Sequence, residues 1–233
     1  MNSVLPNKKA AAPVRDIVIA LVAIGSVWGF LEVGLGGAMK AGNVPYKGDV
    51  LTGLGIGLMA IGFALFRKPV MLIGIAAVAV LVRQTAIPIL HLSTFCKANS
   101  CLAVMLGGGA LAGSVALAGR RIGTSKVSRI AAGLSAGLMA GIGFYFIGMR
   151  VAPCRYLMSF SRPGGFAAWM VHEGLIWAGL GAVCFPLGYL VGERVRDRVL
   201  GLRLASPHLY YAASGVVIAF CWVASALAIA SGY

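Results

Sequence analysis

The sequence predicts an all-α fold, a polytopic transmembrane helix bundle of seven spans, and three observations carry that expectation. First, 60% of the 233 residues are hydrophobic and only 11% are charged, with a mean hydropathy of +0.92. A soluble domain needs far more polar surface than this, and a disordered chain far more charge. Second, the apolar residues fall into seven runs, each close to the roughly 20 residues a helix needs to cross hydrocarbon. Third, short basic clusters separate the runs, which is the pattern of charge left on one side of a membrane.

Residues 1–16 are polar and basic and contain Pro6 and Pro13, so they read as a cytoplasmic tail. Residues 17–233 read as a single transmembrane domain. The first run is too long for the apolar core of a signal peptide, and it is expected to stay as a helix. The expected spans are Ile17–Gly37, Val50–Phe66, Val70–Leu90, Leu102–Ala118, Ile130–Met149, Phe166–Val191 and Leu209–Ile229. The second and fourth are short. The sixth is long and contains Pro186, a potential kink. If the last run lay on the surface or re-entered, the count would be six.

Basic residues set the orientation. Lys8, Lys9, Arg15, Arg67, Lys68, Arg120, Arg121, Lys126, Arg129, Arg194, Arg196, Arg198 and Arg203 collect on one side. Lys40, Lys47, Lys97, Arg150, Arg155 and Arg162 collect on the other. The richer side is expected in the cytoplasm, together with the N-terminus, and the reading places the chain in a bacterial cytoplasmic (inner) membrane. The net charge of +14 therefore belongs to topology. No nucleic-acid-binding motif accompanies it, and no nucleic acid is expected as a partner.

Three charged residues interrupt the runs: Glu32, Arg83 and Glu173. With a rise of 1.5 Å per residue, each falls roughly 20–22 Å above the basic side, in the outer half of the hydrocarbon. Charge at that depth is costly and usually marks a site or an ion pair. Similar heights on three helices predict one shared cluster. Glu32 shares a face with Trp28, Gly25, Gly29 and Gly36, and Glu173 is flanked four residues away by Trp169 and Trp177. His172 adjoins Glu173, and His91 ends the third run. Two readings stand side by side. One is an Arg83–Glu ion pair that holds the bundle together. The other is a ligand-binding cavity open to the outside, in which Arg83 grips an acidic group and the carboxylates and indoles hold an amine or a ring. Its expected lining is Glu32, Arg83, Glu173, Trp169, Trp177, His172 and His91.

Glycines recur four residues apart at Gly25/Gly29, Gly53/Gly57, Gly109/Gly113, Gly133/Gly137/Gly141 and Gly188/Gly192. Such flat faces let helices pack closely, either within the bundle or against a partner membrane subunit. Packing within the bundle is the plainer reading, and the triple repeat is the best candidate for a partner face. The segment from Arg150 to Gly165 is rich in proline, glycine and aromatics, and suits a loop or lid over an outer cavity. Cys184 and Cys221 fall in spans and read as packing residues. Cys96, Cys101 and Cys154 lie on the outer side, where Cys96–Cys101 or a bridge from Cys154 to either is open. Their spacing with His91 is a poor zinc pattern, and no metal is expected. A P-loop, a dinucleotide fingerprint, HExxH and GxSxG are all absent. The chain is not expected to be an enzyme, and its cofactors are left unknown.

The first span, VWGFLEVGLGGAMKAG, followed by GDVLTGLGIGLMAIGF, resembles the opening of substrate-binding S components of energy-coupling factor transporters. The resemblance covers about the first third of the chain. S components usually have six spans, against the seven expected here. The resemblance implies an outer-leaflet cavity for a vitamin-like solute or metal, and docking on a membrane coupling subunit through small-residue faces. The first functional expectation is therefore a solute-binding or transport subunit that takes up a small polar ligand. The alternative is a non-catalytic structural or anchoring subunit of a larger membrane complex, a redox complex included.

Overall fold

A computed structural model of the chain describes residues 13–92 and 98–232. Most of the expected tail, Cys96, Lys97 and Tyr233 lie outside the described residues. Seven helices are long and apolar enough to span a membrane: α1 (Val14–Ala41), α2 (Lys47–Phe66), α3 (Val70–Leu90), α4 (Ala98–Ala118), α5 (Lys126–Val151), α6 (Gly165–Ala205) and α7 (Pro207–Ala230). No strand occurs among the described residues. Every expected span lies inside one of these helices. The helices overrun them, because helical hydrogen bonding continues past the hydrocarbon. The clearest case is α6, which runs on through Arg194, Arg196 and Arg198. It also runs uninterrupted through Pro186.

Helix α1 packs on α2 and α3, α3 on α4, α4 on α5, α5 on α6, and α6 on α2, closing a circuit of six. The core within it centres on Met59, Leu72, Ile75, Leu111 and Phe185. Outside the circuit, α7 lies against α1. Only 17% of its most apolar stretch is buried, against 67% for α2. The chain thus has seven spans, of which six form the body and one is peripheral.

Glycines decide how closely the helices approach. A Cβ on Gly133 would stand 2.0 Å from the Gly181 carbonyl oxygen, and one on Gly137 would stand 2.3 Å from that of Trp177. The triple repeat of α5, the best candidate for a partner face, is therefore used within the bundle against α6, as the plainer reading had it. Gly188 meets the Gly57 backbone in the same way, so α6 is clasped on both flanks. Among the paired glycines, Gly109 and Gly113 alone have open space beyond both positions.

At the end where α1 begins, charges are tied together in opposite pairs. Asp16 is 1% exposed. It accepts a 2.6 Å hydrogen bond from the Tyr211 hydroxyl and pairs with Arg203 Nε at 3.0 Å. Glu193 bridges Arg67 at 2.8 Å and Arg129 at 3.6 Å. Both guanidinium groups lie over the Tyr189 ring, 4.9 and 4.2 Å from its centre.

Candidate functional site

The opposite end holds a cavity of about 410 Å³. Helices α1, α2, α3, α4, α6 and α7 all contribute to its wall, and Glu32, Arg83 and Glu173 all line it. Its size lies within the roughly 300–1,000 Å³ typical of small-molecule sites.

The Glu32–Arg83 wall follows from small residues one turn earlier. A Cβ on Gly25 would meet the Ile75 carbonyl oxygen at 2.7 Å, and one on Gly29 would meet Val82 Cβ at 2.5 Å. These glycines draw α1 onto α3, and the next turn brings Glu32 to Arg83. Arg83 Nη1 donates to Glu32 Oε2. Trp28 Nε1 donates to Glu32 Oε1 at 3.2 Å. The Trp28 indole fits because position 55 is glycine, where a Cβ would fall 2.3 Å from the ring. Both Glu32 oxygens are thus engaged, and Glu32 is 9% exposed. The Arg83 side chain keeps 20% of its surface, and its buried Nε has no acceptor among the described residues. Glu32 therefore aims Arg83, whose guanidinium is left facing the cavity. Lys40 and Lys47 line the same cavity.

Across the circuit, α6 supplies Glu173 and Trp177. Glu173 Oε1 accepts a hydrogen bond from the Tyr156 hydroxyl. Trp177 Nε1 donates to Asp49 Oδ1 at 2.6 Å, and the Asp49 carboxyl lies against that of Glu173. Burial, the hydrogen bond to Glu173 and the nearby negative charges raise the Tyr156 hydroxyl above the ordinary tyrosine range. It therefore stays protonated and keeps donating.

Both carboxylates stand in π-helical turns, Leu31–Leu35 around Glu32 and Met170–Gly174 around Glu173. These are short, wide turns set within long helices. Such turns carry one residue more than an α-turn and often occur at functional positions.

Four of the seven expected lining residues meet at the cavity: Glu32, Arg83, Glu173 and Trp177. Three do not. Trp169 is not among the cavity-lining residues, although its ring lies edge-on to that of Trp177 with centres 6.2 Å apart. Instead it is 1% exposed, donates to the Gly141 carbonyl at 3.0 Å and stacks on Phe144. His172 points outward, with its ring 6.3 Å from that of Phe160. His91 is an exposed left-handed residue (φ 51°) that ends the last turn of α3. Sequence reasoning gave Asp49 no part in the site. Tyr156 was read only as one aromatic of the loop. Their depth and loop position held no sign of the α6 contacts that make them matter.

The other sequence expectations resolve in part. Cys154 is a free thiol whose Sγ accepts a hydrogen bond from Asn99 Nδ2 at 2.9 Å. A disulfide from it is therefore not formed, and a Cys96 pairing lies outside the described residues. The segment between α5 and α6 is anchored by Leu157, which is fully buried. A hydrogen bond of 3.0 Å from Tyr145 to the Phe160 carbonyl fixes it further. Among the described residues, no three His, Cys, Asp or Glu side chains group around a metal-sized position.

Comparison with protein-family models, curated proteins and solved structures returns no match to this chain.

Proposed function

We propose that this chain is a solute-binding subunit of a membrane transport system, taking a small polar solute into the cavity lined by Arg83 and Glu173. The observation that carries this reading is the convergence of Glu32, Arg83 and Glu173, from three helices, on one cavity of about 410 Å³. A purely structural ion pair needs no such space beside it. The positive-inside count puts the N-terminus in the cytoplasm and the cavity mouth outside, in a bacterial inner membrane. This arrangement is also what the resemblance to S components implies. The chain has no phosphate-binding loop, so movement of the solute draws its energy from a partner subunit or an ion gradient.

The test is a thermal-shift screen of the purified, detergent-solubilised chain against amines, carboxylates, amino acids and vitamins. At least one solute is expected to raise the unfolding temperature of the wild type and not that of Arg83→Ala, with both proteins eluting as the same folded species. A panel without a single stabilising solute, combined with co-purification of stoichiometric membrane subunits, would overturn the reading in favour of a structural anchor.

A further inference from the structure

The two charged walls of the cavity differ in sign, and that difference specifies a class of solute. On the α1–α3 side stand Arg83 and Lys40, with Glu32 as the one acid lining the cavity from those helices; Lys47 shares the first turn of α2 with Asp49, between the two sides. Glu32 is already committed through both oxygens, to Trp28 and to Arg83. This side therefore carries surplus positive charge. The α6 side reverses the balance, with Glu173 and Trp177 in the wall and Asp49 packed behind them. A carboxylate beside an indole suits an ammonium group, through charge and through the ring quadrupole.

The two poles are not adjacent. Helix α3 does not pack on α6; α2 stands between them and touches both. Neighbouring helix axes lie about 8–10 Å apart, so helices on opposite sides of the circuit are separated by more than one such step. Apolar residues, among them Val33, Leu51, Ala86 and Val104, line the space between. A solute bearing a single charge would leave one wall desolvated and without a counter-charge, which is how a site rejects a near-analogue.

We propose that the solute is bipolar, with a carboxylate held at the Arg83 pole and an ammonium group at the Glu173 pole, joined by an apolar spacer. This rests on the solute-binding reading above and narrows it to a chemical class.

The experiment measures affinity by calorimetry for glycine, γ-aminobutyrate and ε-aminocaproate, and for the single-charge analogues caproate and hexylamine. The protein is the full chain in detergent. One of the spaced amino acids is expected to bind at least about tenfold more tightly than either analogue, a difference of about 1.4 kcal/mol. Glu173→Gln is expected to bring ε-aminocaproate down to the level of caproate, and Arg83→Gln to that of hexylamine. The comparison of probes on the wild type requires no variant, so a variant that fails to fold leaves the test intact. Caproate or hexylamine binding as tightly as the amino acids overturns the bipolar class and leaves the site standing. No binding by any of the five, alongside a hit elsewhere in the wider screen, also overturns the class alone. Silence in both experiments removes the solute-binding reading with it.

Discussion

The two ends of the bundle bury charge in different ways. At the end where α1 begins, every charge among Asp16, Arg203, Arg67, Glu193 and Arg129 has an opposite partner. Arg129 also donates to the Ile122 and Gly123 carbonyls, at 2.8 and 3.0 Å. The one pocket described there, about 250 Å³ between α1, α2, α6 and α7, is lined almost wholly by apolar side chains. At the other end, one ion pair stands beside a larger space, and a carboxylate faces it from across the circuit. A buried charge alone therefore does not separate scaffold from site. What separates them is whether the partners close the charge off or leave it facing volume.

The largest expected effect lies at the closed end. Asp16 neutralises Arg203 and holds Tyr211, which also receives Arg15. Tyr211 belongs to α7, so this contact pins the peripheral helix. Asp16→Ala leaves Arg203 without its counter-charge and should cost about 3–5 kcal/mol. Thermal unfolding reads the loss, and limited proteolysis should cut first between α6 and α7. Affinity for any solute found should stay the same in the protein that remains folded. A loss of binding that exceeds the loss of fold would erase the distinction between the two ends.

A smaller effect is expected at the Glu32–Arg83 pair, because Arg83 keeps a fifth of its surface. Glu32→Gln preserves an acceptor for Trp28 and strips Arg83 of its partner, at about 1–3 kcal/mol. Adding Arg83→Met removes the unpaired charge and should restore most of that stability, as apolar replacement of a buried pair often does. The double variant should nevertheless fail to bind solute. A thermal-stability and binding cycle over the four proteins checks this. If the double variant binds like the wild type, the pair is scaffold, as Asp16–Arg203 is.

Much of the architecture was legible in the sequence. Run length and basic connectors gave seven spans, because the cost of leaving a backbone unpaired in lipid is severe. Equal depth brought Glu32, Arg83 and Glu173 to one level, since helical rise is nearly constant. Which residues face each other around the axis was less legible. Trp169 sits beside Trp177 but is covered by Phe144 of α5, a neighbour that residue types do not announce. The partners of Asp49 and Tyr156 depend on which helices neighbour α6. Glycine spacing announced close packing for α5, yet it could not tell a neighbour in the same chain from one in another. The peripheral place of α7 was also hidden, for its composition matches that of the buried spans.

The smallest effect concerns the segment over the cavity end. Tyr156→Phe removes the hydroxyl that donates to Glu173 and keeps the ring on Phe160, 5.4 Å away between centres. The side chain is half exposed, so the loss should fall at the low end of about 0.5–1.5 kcal/mol. Its pH dependence has a definite sign. The folded state holds the Tyr156 proton more tightly than the unfolded chain, because burial and Glu173 raise its pKa. The stability difference between wild type and variant should therefore be level up to the unfolded tyrosine value near 10 and shrink above it. Chemical denaturation of both proteins across that range measures the difference. If the variant also releases bound solute faster at neutral pH, the Tyr156–Glu173 contact retains the solute as well as bracing the loop. A difference that stays level through the alkaline range would mean that the hydroxyl gives Glu173 no hydrogen bond, and that the loop rests on Leu157 and its ring contacts alone.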